Sequence, residues 1–279
     1  MITALDHFVI LCPDIDTGIS DYTAIMGFEP AWRAETEGRS TALFVTDNTA
    51  IELMAPVGTG DMADRLRTLM DQGAHFASLA YRVDEFEESH RLMGRRGLAP
   101  DDIVPGQSKD LASGSERVWR RFRLNEDATA GVKSFVLEPT SVLPPGSGPV
   151  GSVLKLDHLV VQTPNPDRAV ALYGSRLGIR FALDRTAKEW DTRFLFFRIG
   201  DLSLEVVNRL SESQDPAGPD RLWGLTWTTD DIEAAHARLT ALGRDLSEIR
   251  KGRKPGTRVF TLRDRTLNVP TLFIELTPR

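Results

Sequence analysis

One pattern is written twice along this chain of 279 residues. The segment "LDHFVILCPDIDTGISDYTAIMGF", which begins at residue 5, aligns with "LDHLVVQTPNPDRAVALYGSRLGI", which begins at residue 156. His7 then meets His158, and Tyr22 meets Tyr173, at one constant spacing. The ends of the two copies also align, "FVLEP" with "LFIEL". A duplication of this extent predicts two homologous domains, because each copy has to fold into the same set of elements.

A short segment between the copies has the composition of a linker. The stretch "TSVLPPGSGPVGS" (140–152) is rich in Pro, Gly and Ser and contains no charged residue. Such segments favour extended or flexible backbone over packed structure. We therefore predict one domain over residues 1–140 and a second over 153–279.

Each copy divides again into two units of similar order. In the first copy "HFVIL" alternates as a strand, "TGISDYTAIMG" has helical spacing and ends at Gly27, and three strand-like segments follow. Its second half runs from the strand "ASLAYRV" through a helix that starts after Asp84, the expected N-cap, to the strands "WRRFRL" and "KSFVLEP". The order strand, helix and then further strands recurs four times, which predicts an α+β fold.

Composition excludes several other classes of protein. Hydrophobic residues make up 41% of the chain and charged residues 27%, as in ordinary globular domains. No apolar run reaches the roughly 18–20 residues of a membrane-spanning helix. The single cysteine, Cys12, excludes an intrachain disulfide and a cysteine-built zinc site, and a cytoplasmic location is expected. A net charge of −6 argues against a general nucleic-acid binder.

This fourfold order, with "LDH" on the first strand and "IEL" or "LEP" on a last strand, resembles the vicinal oxygen chelate superfamily. That group includes glyoxalases, extradiol dioxygenases and bleomycin-resistance proteins. The resemblance implies two tandem domains, each a pair of βαβββ units that form a curved, cup-shaped mixed sheet. It also implies a divalent metal in the cup, held by residues of first and last strands, that chelates two substrate oxygens.

The resemblance assigns metal ligands residue by residue. The first-strand ligand maps onto His7 and His158, and the last strand of the same unit supplies Glu52 and Glu205. The last strand of the second unit supplies the remaining carboxylates, Glu138 and Glu275. The fourth ligand of the family, a histidine, is missing from both copies, because Ser78 and Gly224 occupy its position. His75 lies three residues before Ser78, which in a strand places it on the opposite face.

A set of one His and two Glu residues allows more than one chemistry. Three N/O ligands with open positions suit one divalent ion of Mn, Fe, Ni, Zn or Mg, which would polarise a carbonyl. Without metal, a buried His158 beside Glu205 and Glu275 would still move a proton, because such pairs have perturbed pKa values. The alternative is that these carboxylates are inherited polar groups in a binding cup that holds no metal.

Basic and aromatic residues predict how a ligand would be held. The run "RKGRKPGTR" places Arg253 and Arg258 beside the second cup, as an anion site or as a solvated hairpin. In the first copy Arg121 and Arg123 share one strand face and either enter the cup or pair with surface carboxylates. Trp223 precedes the vacant position Gly224 and is expected to line the second cup. We therefore predict that the second cup is the functional one and binds an anion.

Three functions remain open on the sequence. The first is a glyoxalase-like lyase or isomerase that acts on a small oxygenated, acidic metabolite by proton transfer near a carbonyl, with Glu275, Glu205 and His158 as the catalytic groups. The second is a metal-free binding protein of the bleomycin-resistance kind, and the third is a relative of ring-cleaving dioxygenases. The expected partner is a small anionic or aromatic molecule rather than a nucleic acid or a membrane, and the chain is compatible with a homodimer.

Overall fold

The first copy forms one eight-stranded sheet in the computed structural model, which describes residues 1–71, 73–212 and 214–276. Its strands are β1 (Ile2–Leu11), β2 (Trp32–Thr36), β3 (Arg39–Val45), β4 (Ala50–Pro56), β5 (His75–Val83), β6 (Val104–Lys109), β7 (Glu116–Arg123) and β8 (Lys133–Pro139). Its helices are α1 (Ile15–Met26), α2 (Asp61–Leu69) and α3 (Phe86–Arg95).

The second copy forms a second eight-stranded sheet. Its strands are β9 (Val153–Gln162), β10 (Arg180–Ala187), β11 (Thr192–Ile199), β12 (Leu202–Arg209), β13 (Arg221–Thr229), β14 (Arg250–Lys251), β15 (Thr257–Leu262) and β16 (Thr271–Leu276). Helix α4 (Pro166–Ala169) continues as a π-helical segment (Val170–Arg176), a 3₁₀ turn spans Lys188–Trp190, and the last helix is α5 (Ile232–Ala241). No helix in the described part of the chain is long and apolar enough to cross a membrane.

The strand order has the same internal symmetry in both sheets. The orders are β2-β3-β4-β1-β5-β8-β7-β6 and β10-β11-β12-β9-β13-β16-β15-β14. The first strands of the two units, β1 with β5 and β9 with β13, pair antiparallel in the middle of each sheet. Each first strand also pairs in parallel with the last strand of its own unit. The predicted fold class of two tandem curved-sheet α+β domains is confirmed. The boundaries at 140 and 153 stay a prediction.

Local signals explain where the helices begin and end. Asp14 caps α1 by accepting a hydrogen bond from the backbone N–H of Thr17 at 2.7 Å, and Gly27 ends the helix in the left-handed conformation. Asp84, the predicted cap of α3, instead precedes the N-cap residue and pairs with the N-terminal amine. Helix α2 was not predicted; its polar sequence has a narrow apolar stripe that includes the buried Leu66.

The core lies between the helices and one face of each sheet. Residues of alternate strand positions, such as Phe8, pack with the helices in one continuous apolar cluster that spans both domains. Trp227, predicted as a core residue, is fully buried, and its ring centroid lies 6.1 Å from that of Phe8 across the domain boundary. The opposite, concave faces carry the polar residues. We call the concave face of the β1–β8 sheet the first cup and that of the β9–β16 sheet the second cup.

Two arginines of the second domain satisfy carbonyl groups at helix ends of the first. Arg238 of α5 donates to the carbonyl oxygens of Ala24 and Ile25 in the last turn of α1. Arg176 donates to the carbonyl oxygens of Arg96, just beyond α3, and of Ala128. The last carbonyls of a helix have no partner within it, and cations there also favour the helix dipole. The interface between the domains therefore contains directional hydrogen bonds as well as apolar contacts.

We expect Arg238→Ala to lower the free energy of unfolding by about 2 kcal/mol, because charged hydrogen bonds to otherwise unpaired carbonyls are lost. Urea unfolding followed by circular dichroism measures this change. Arg180→Ala, on the exposed edge strand β10, is the matched control and should stay within about 0.5 kcal/mol of the unmodified protein. Equal effects of the two substitutions would show that Arg238 contributes no specific stabilisation.

Candidate functional site

A β-bulge places the aspartate and the histidine of each "LDH" motif side by side. In β1 the pairing with β5 shifts between Leu5 and His7, so Asp6 is an extra residue in the ladder. The same shift occurs in β9 at Asp157. Neighbours on a regular strand point to opposite faces, whereas a bulge re-aims one of them. The Asp6 carboxylate therefore reaches the ring of the next residue, His7.

In the second cup this contact continues into a chain of hydrogen-bonding groups. Nδ1 of His158 lies 2.7 Å from Oδ2 of Asp157. Its Nε2 lies 3.1 Å from Oε2 of Glu205, on the neighbouring strand β12, and 2.9 Å from Oγ1 of Thr226 on β13. Glu205 is 13% exposed and His158 is 18% exposed, so both are sheltered but reachable from the cup.

His158 and Glu205 lie within ion-pair distance of each other. Nε2 of His158 is 3.1 Å from Oε2 of Glu205, whereas its hydrogen bond is made with the hydroxyl of Thr226. Burial raises the pKa of Glu205 above its ordinary value, although His158 and Arg253 oppose this. Burial disfavours the charged form of His158, but the hydrogen bond with Asp157 and the charge of Glu205 outweigh it and raise the histidine pKa. Both groups therefore have perturbed pKa values, as is common for residues that transfer protons.

The first cup has the same residues in a looser arrangement. Nδ1 of His7 lies 2.7 Å from Oδ1 of Asp6, but its Nε2 is 3.7 Å from Oε2 of Glu52, too far for a hydrogen bond. Asp6 is also paired with Arg82, and its pKa is strongly lowered because His7 and Arg82 together outweigh its burial. Ala80 stands opposite His7, where the second cup has a threonine hydroxyl.

Glu138 and Glu275 do not lie in the cups, so the prediction that they converge with the histidines is wrong. Glu138 accepts a hydrogen bond from Arg120 at 2.7 Å on the face that carries α3. Glu275 accepts at 2.8 Å from Nε of Arg258 and also from the backbone N–H of Ile232, at the start of α5. Side chains alternate between the faces of a strand, so a residue one position away from the assumed register belongs to the other face.

Apolar side chains occupy the cup face of those last strands. Phe135 of β8 stands beside Ala80, and Leu272 of β16 stands beside Thr226. Neither can ligate a metal, so the last strand of the second unit contributes no donor at this level of either cup.

The two positions predicted to be vacant do lie beside the cup residues of the first strands. Ser78 pairs with Val9 of β1, and Gly224 pairs with Val160 of β9. A Cβ atom at Gly224 would lie 3.0 Å from the carbonyl oxygen of Pro270, closer than nearly all such contacts. The close approach of the Pro270 backbone therefore favours glycine there and disfavours the family's histidine.

The donors present fall short of a metal site in both cups. Each cup offers one imidazole and one carboxylate, whereas catalytic zinc sites ordinarily use three protein ligands. Among the described residues, one group of three His, Cys, Asp or Glu side chains has its ligand atoms within 4.8 Å of one another, and it lies at the start of α5: Asp231, Glu233 and Glu275. Arg258 pairs with Glu233 and Glu275, so part of the negative charge of that group is already neutralised, and these carboxylates are engaged in ion pairs.

The basic loop of the second domain divides between two faces. The guanidinium of Arg253 lies 4.3 Å from the ring centroid of Trp190, and its charge acts on Glu205, which places it at the second cup. Arg258 is on the helix face, so its predicted place in the anion site is wrong. Trp223 is the extra residue of a bulge next to Gly224 and is 43% exposed.

The basic residues of the first domain also divide. Arg121 lies over the ring of Phe135 at 5.4 Å, on the cup face. Arg123 pairs with Glu126 in the loop after β7, so its predicted role in the cup is not supported. Arg117, which the sequence analysis missed, lies 5.4 Å from the ring centroid of Trp32 across the first cup. The alternation of basic residues along "RVWRRFR" was the signal that could have identified it.

The two cups differ in how far they are enclosed. The N–H of Leu111 donates to the carbonyl of Arg33 at 2.8 Å, which joins the loop between β6 and β7 to the edge strand β2 and brings the first sheet close to a barrel. Leu66 of α2 packs on Val9 and Leu11, on the face that carries His7. In the second domain, residues 180–186 of the edge strand β10 are exposed, so the second cup is open on that side.

The aspartates of the bulges were also missed by sequence reasoning. The signal was present, since "LDH" repeats an Asp as faithfully as a His. A strand pattern assigns adjacent residues to opposite faces, so only the irregular ladder shows that Asp157 supports His158.

Comparison with solved structures gives several long matches. A variant of 4-hydroxymandelate synthase from Streptomyces coelicolor aligns over 98% of this chain and 92% of its own, with a TM-score of 0.71 and 11% identity. The Mn(II)-bound glyoxalase from Novosphingobium aromaticivorans aligns over 99% and 83%, with a TM-score of 0.66 and 15% identity. A halotolerant catechol dioxygenase aligns over 99% and 87%, with a TM-score of 0.64 and 12% identity. At these identities the likeness concerns the fold.

Comparison with curated proteins finds no match. A family description matches the chain twice, over residues 6–112 and again over 157–261, and so covers most of both domains. The two matched segments begin at Asp6 and Asp157 and contain the Asp-His pair of each bulge together with Glu52 and Glu205. The chain therefore belongs to the Glyoxalase/Bleomycin resistance protein/Dioxygenase superfamily as a tandem two-domain member.

Proposed function

We propose that this protein is a glyoxalase-like enzyme of the lyase or isomerase type, whose second cup transfers a proton next to a carbonyl of a small acidic metabolite. The observation that carries the proposal is the close ion pair of His158 and Glu205 at 3.1 Å, with Asp157 behind the imidazole. We expect the reaction to take place in the cytoplasm.

The two groups have complementary roles in such a reaction. Glu205, as a buried carboxylate with a raised pKa, removes a proton from the carbon next to the carbonyl. His158, protonated and held by Asp157, donates a hydrogen bond from Nε2 to the oxygen that gains negative charge. Return of the proton to the neighbouring carbon completes an isomerisation, and loss of a leaving group completes an elimination.

Groups at the mouth of the cup supply binding. The charge of Arg253 acts on Glu205, and Arg253 makes no ion pair with a carboxylate among the described residues but stacks on Trp190. The rings of Phe194 and Phe196, stacked 6.3 Å apart on β11, add an apolar wall next to Glu205. An acidic substrate would place its carboxylate at Arg253 and its carbon chain along this wall.

Because each cup provides two donors, no step of this proposal runs through a metal. One similar solved structure is the Mn(II)-bound glyoxalase. A divalent ion is therefore a candidate cofactor, although the proton transfer proposed for His158 and Glu205 does not require one. Metal analysis of protein purified without a chelating tag, together with activity after dialysis against EDTA, tests this directly. Less than one equivalent of metal in a fully active protein supports the proposal.

We expect Glu205→Gln to reduce proton transfer by about 10²-fold or more, because the amide cannot accept the proton. Exchange of carbon-bound protons of small 2-oxo acids such as pyruvate and 2-oxobutyrate with D₂O, followed by NMR, measures this step. Glu52→Gln makes the same change in the first cup and should leave the rate within about twofold. If the Glu52 variant loses the activity and the Glu205 variant keeps it, the wrong cup has been assigned.

We expect a bell-shaped dependence of kcat/KM on pH, with Glu205 ionised and His158 protonated in the active form. Burial raises the pKa of Glu205 from 4.5, and the carboxylates raise the pKa of His158 from 6.5, so the optimum should lie between these raised values. Asp157 raises the pKa of both groups, so Asp157→Asn should move both limbs to lower pH. Asp6→Asn in the first cup is the control, and a profile that responds to it instead would contradict the assignment.

We expect Arg253→Met to raise KM for an acidic substrate about three- to fivefold, since a charge–charge contact of about 0.6–1 kcal/mol at the exposed mouth of the cup is lost. Arg258→Met removes an arginine five residues further along the chain that is paired with Glu233 and Glu275 on the opposite face, so its KM should not change. Steady-state kinetics of both variants provide the comparison. A larger effect at Arg258 would refute the proposed orientation of the loop.

A second candidate function is a metal-free binding protein. The apolar residues Phe135 and Leu272, in place of family ligands, favour it, because they extend the apolar lining of a cup without adding chemistry. Binding of an aromatic acid that depends on Arg253, with no proton exchange in any tested compound, would favour this function over the enzyme.

A further inference from the structure

The first cup contains two guanidinium groups that no carboxylate neutralises. Arg117 and Arg121 make no side-chain hydrogen bond within the described chain. No carboxylate oxygen of the described residues lies within 4.0 Å of either guanidinium group, the limit for an ion pair. Two other arginines of the first sheet are paired instead, Arg82 with Asp6 and Arg123 with Glu126. Unpaired cations on the inner face of a nearly closed sheet are costly, and burial lowers the pKa of both.

Two buried N–H donors next to each other also lack an acceptor. Nε of Arg117 and Nε1 of Trp32 are both inaccessible to solvent and have no hydrogen-bond partner. They belong to side chains that contact each other across the cup, with the guanidinium carbon 5.4 Å from the ring centroid. Buried donors are nearly always satisfied in folded proteins, whereas the described chain supplies Arg117 with no hydrogen-bond partner of its own, and the stacking on Trp32 is what positions its guanidinium group.

The charge balance of the cup indicates what charge a ligand there would carry. Arg82 is occupied by Asp6, which leaves Glu52 as the carboxylate that faces the remaining arginines. Those arginines are Arg39, Arg117 and Arg121. Three cations against one carboxylate leave an excess of two positive charges, which a doubly charged anion would balance.

We infer that the first cup is a separate binding site for a small organic dianion, held by the guanidinium groups of Arg117 and Arg121. The same cup is poorly arranged for proton transfer, because Nε2 of His7 is 3.7 Å from Glu52. The two cups then have different tasks: the second reacts, and the first retains an anion. This site does not depend on the proton-transfer proposal, since none of its residues belongs to the second cup.

Two chemical sources supply such a dianion, a dicarboxylic acid and a phosphate monoester. Succinate, phthalate and inorganic phosphate are the probes, with binding measured by titration calorimetry at low ionic strength. We expect at least one of them to bind, and Arg117→Met and Arg121→Met each to weaken it at least about tenfold. Arg253→Met, in the second cup, should leave the affinity within about twofold. Preference for succinate or phthalate identifies a dicarboxylate, and preference for phosphate identifies a monoester.

Three results of the titration calorimetry would overturn the inference. They are the absence of binding for all three probes, affinities of the Arg117 and Arg121 variants equal to that of the unmodified protein, and loss of binding in the Arg253 variant.

Thermal unfolding without ligand separates a binding role from a structural one. If Arg117 is held unpaired for a ligand, Arg117→Met removes an uncompensated buried charge and keeps its packing, so the melting temperature should rise or stay the same. If Arg117 is structural, the melting temperature should fall. A fall in both the Arg117→Met and Arg121→Met variants would contradict the inference even if probe binding is also lost.

Discussion

The contact between an aspartate and the histidine that follows it organises both cups. A bulge in the first strand is what makes it possible, because only an irregular ladder turns Asp157 and His158 to the same side. The aspartate fixes which imidazole nitrogen carries a proton and raises the histidine pKa against the effect of burial. Nε2 of His158 is then directed at Glu205, which lies on β12, the strand that pairs in parallel with β9. Every chemical role proposed for the second cup follows from this geometry.

The two copies have diverged around that common contact. In the second cup the imidazole and the carboxylate lie 3.1 Å apart, and an open edge beside β10 leaves access from solvent. In the first cup the corresponding distance is 3.7 Å, helix α2 packs over one end, and unpaired arginines face inward. At the level of the histidines, the last strand of the second unit carries Phe135 in the first cup and Leu272 in the second. The duplicated fold therefore keeps one half-site in each copy, and the surroundings of the two half-sites differ.

Repetition of a polar residue does not by itself identify a functional group. The histidines at 90 and 236 recur in both helices, and each packs edge-on against a core phenyl ring. Glu138 and Glu275 recur as faithfully as the cup residues, yet each pairs on the outer face with an arginine that also donates to a helix glutamate. Repeated ion pairs of this kind hold a helix to its sheet. The face of the sheet that a residue occupies, rather than its recurrence, separates the residues of a cup from those that hold a helix to its sheet.

The sequence by itself determined the duplication and the fourfold order of elements, because these depend on local patterns and on alignment of one copy with the other. Through the family resemblance it also predicted the first-unit residues His7, Glu52, His158 and Glu205. Only the tertiary structure decided the faces of Glu275 and Arg258, since a register shift of one residue reverses a side chain and leaves the pattern of the strand unchanged. The unpaired state of Arg117 also depends on tertiary structure. Whether a charged side chain has a partner depends on groups far away along the chain, and no local sequence pattern indicates whether such a partner is present.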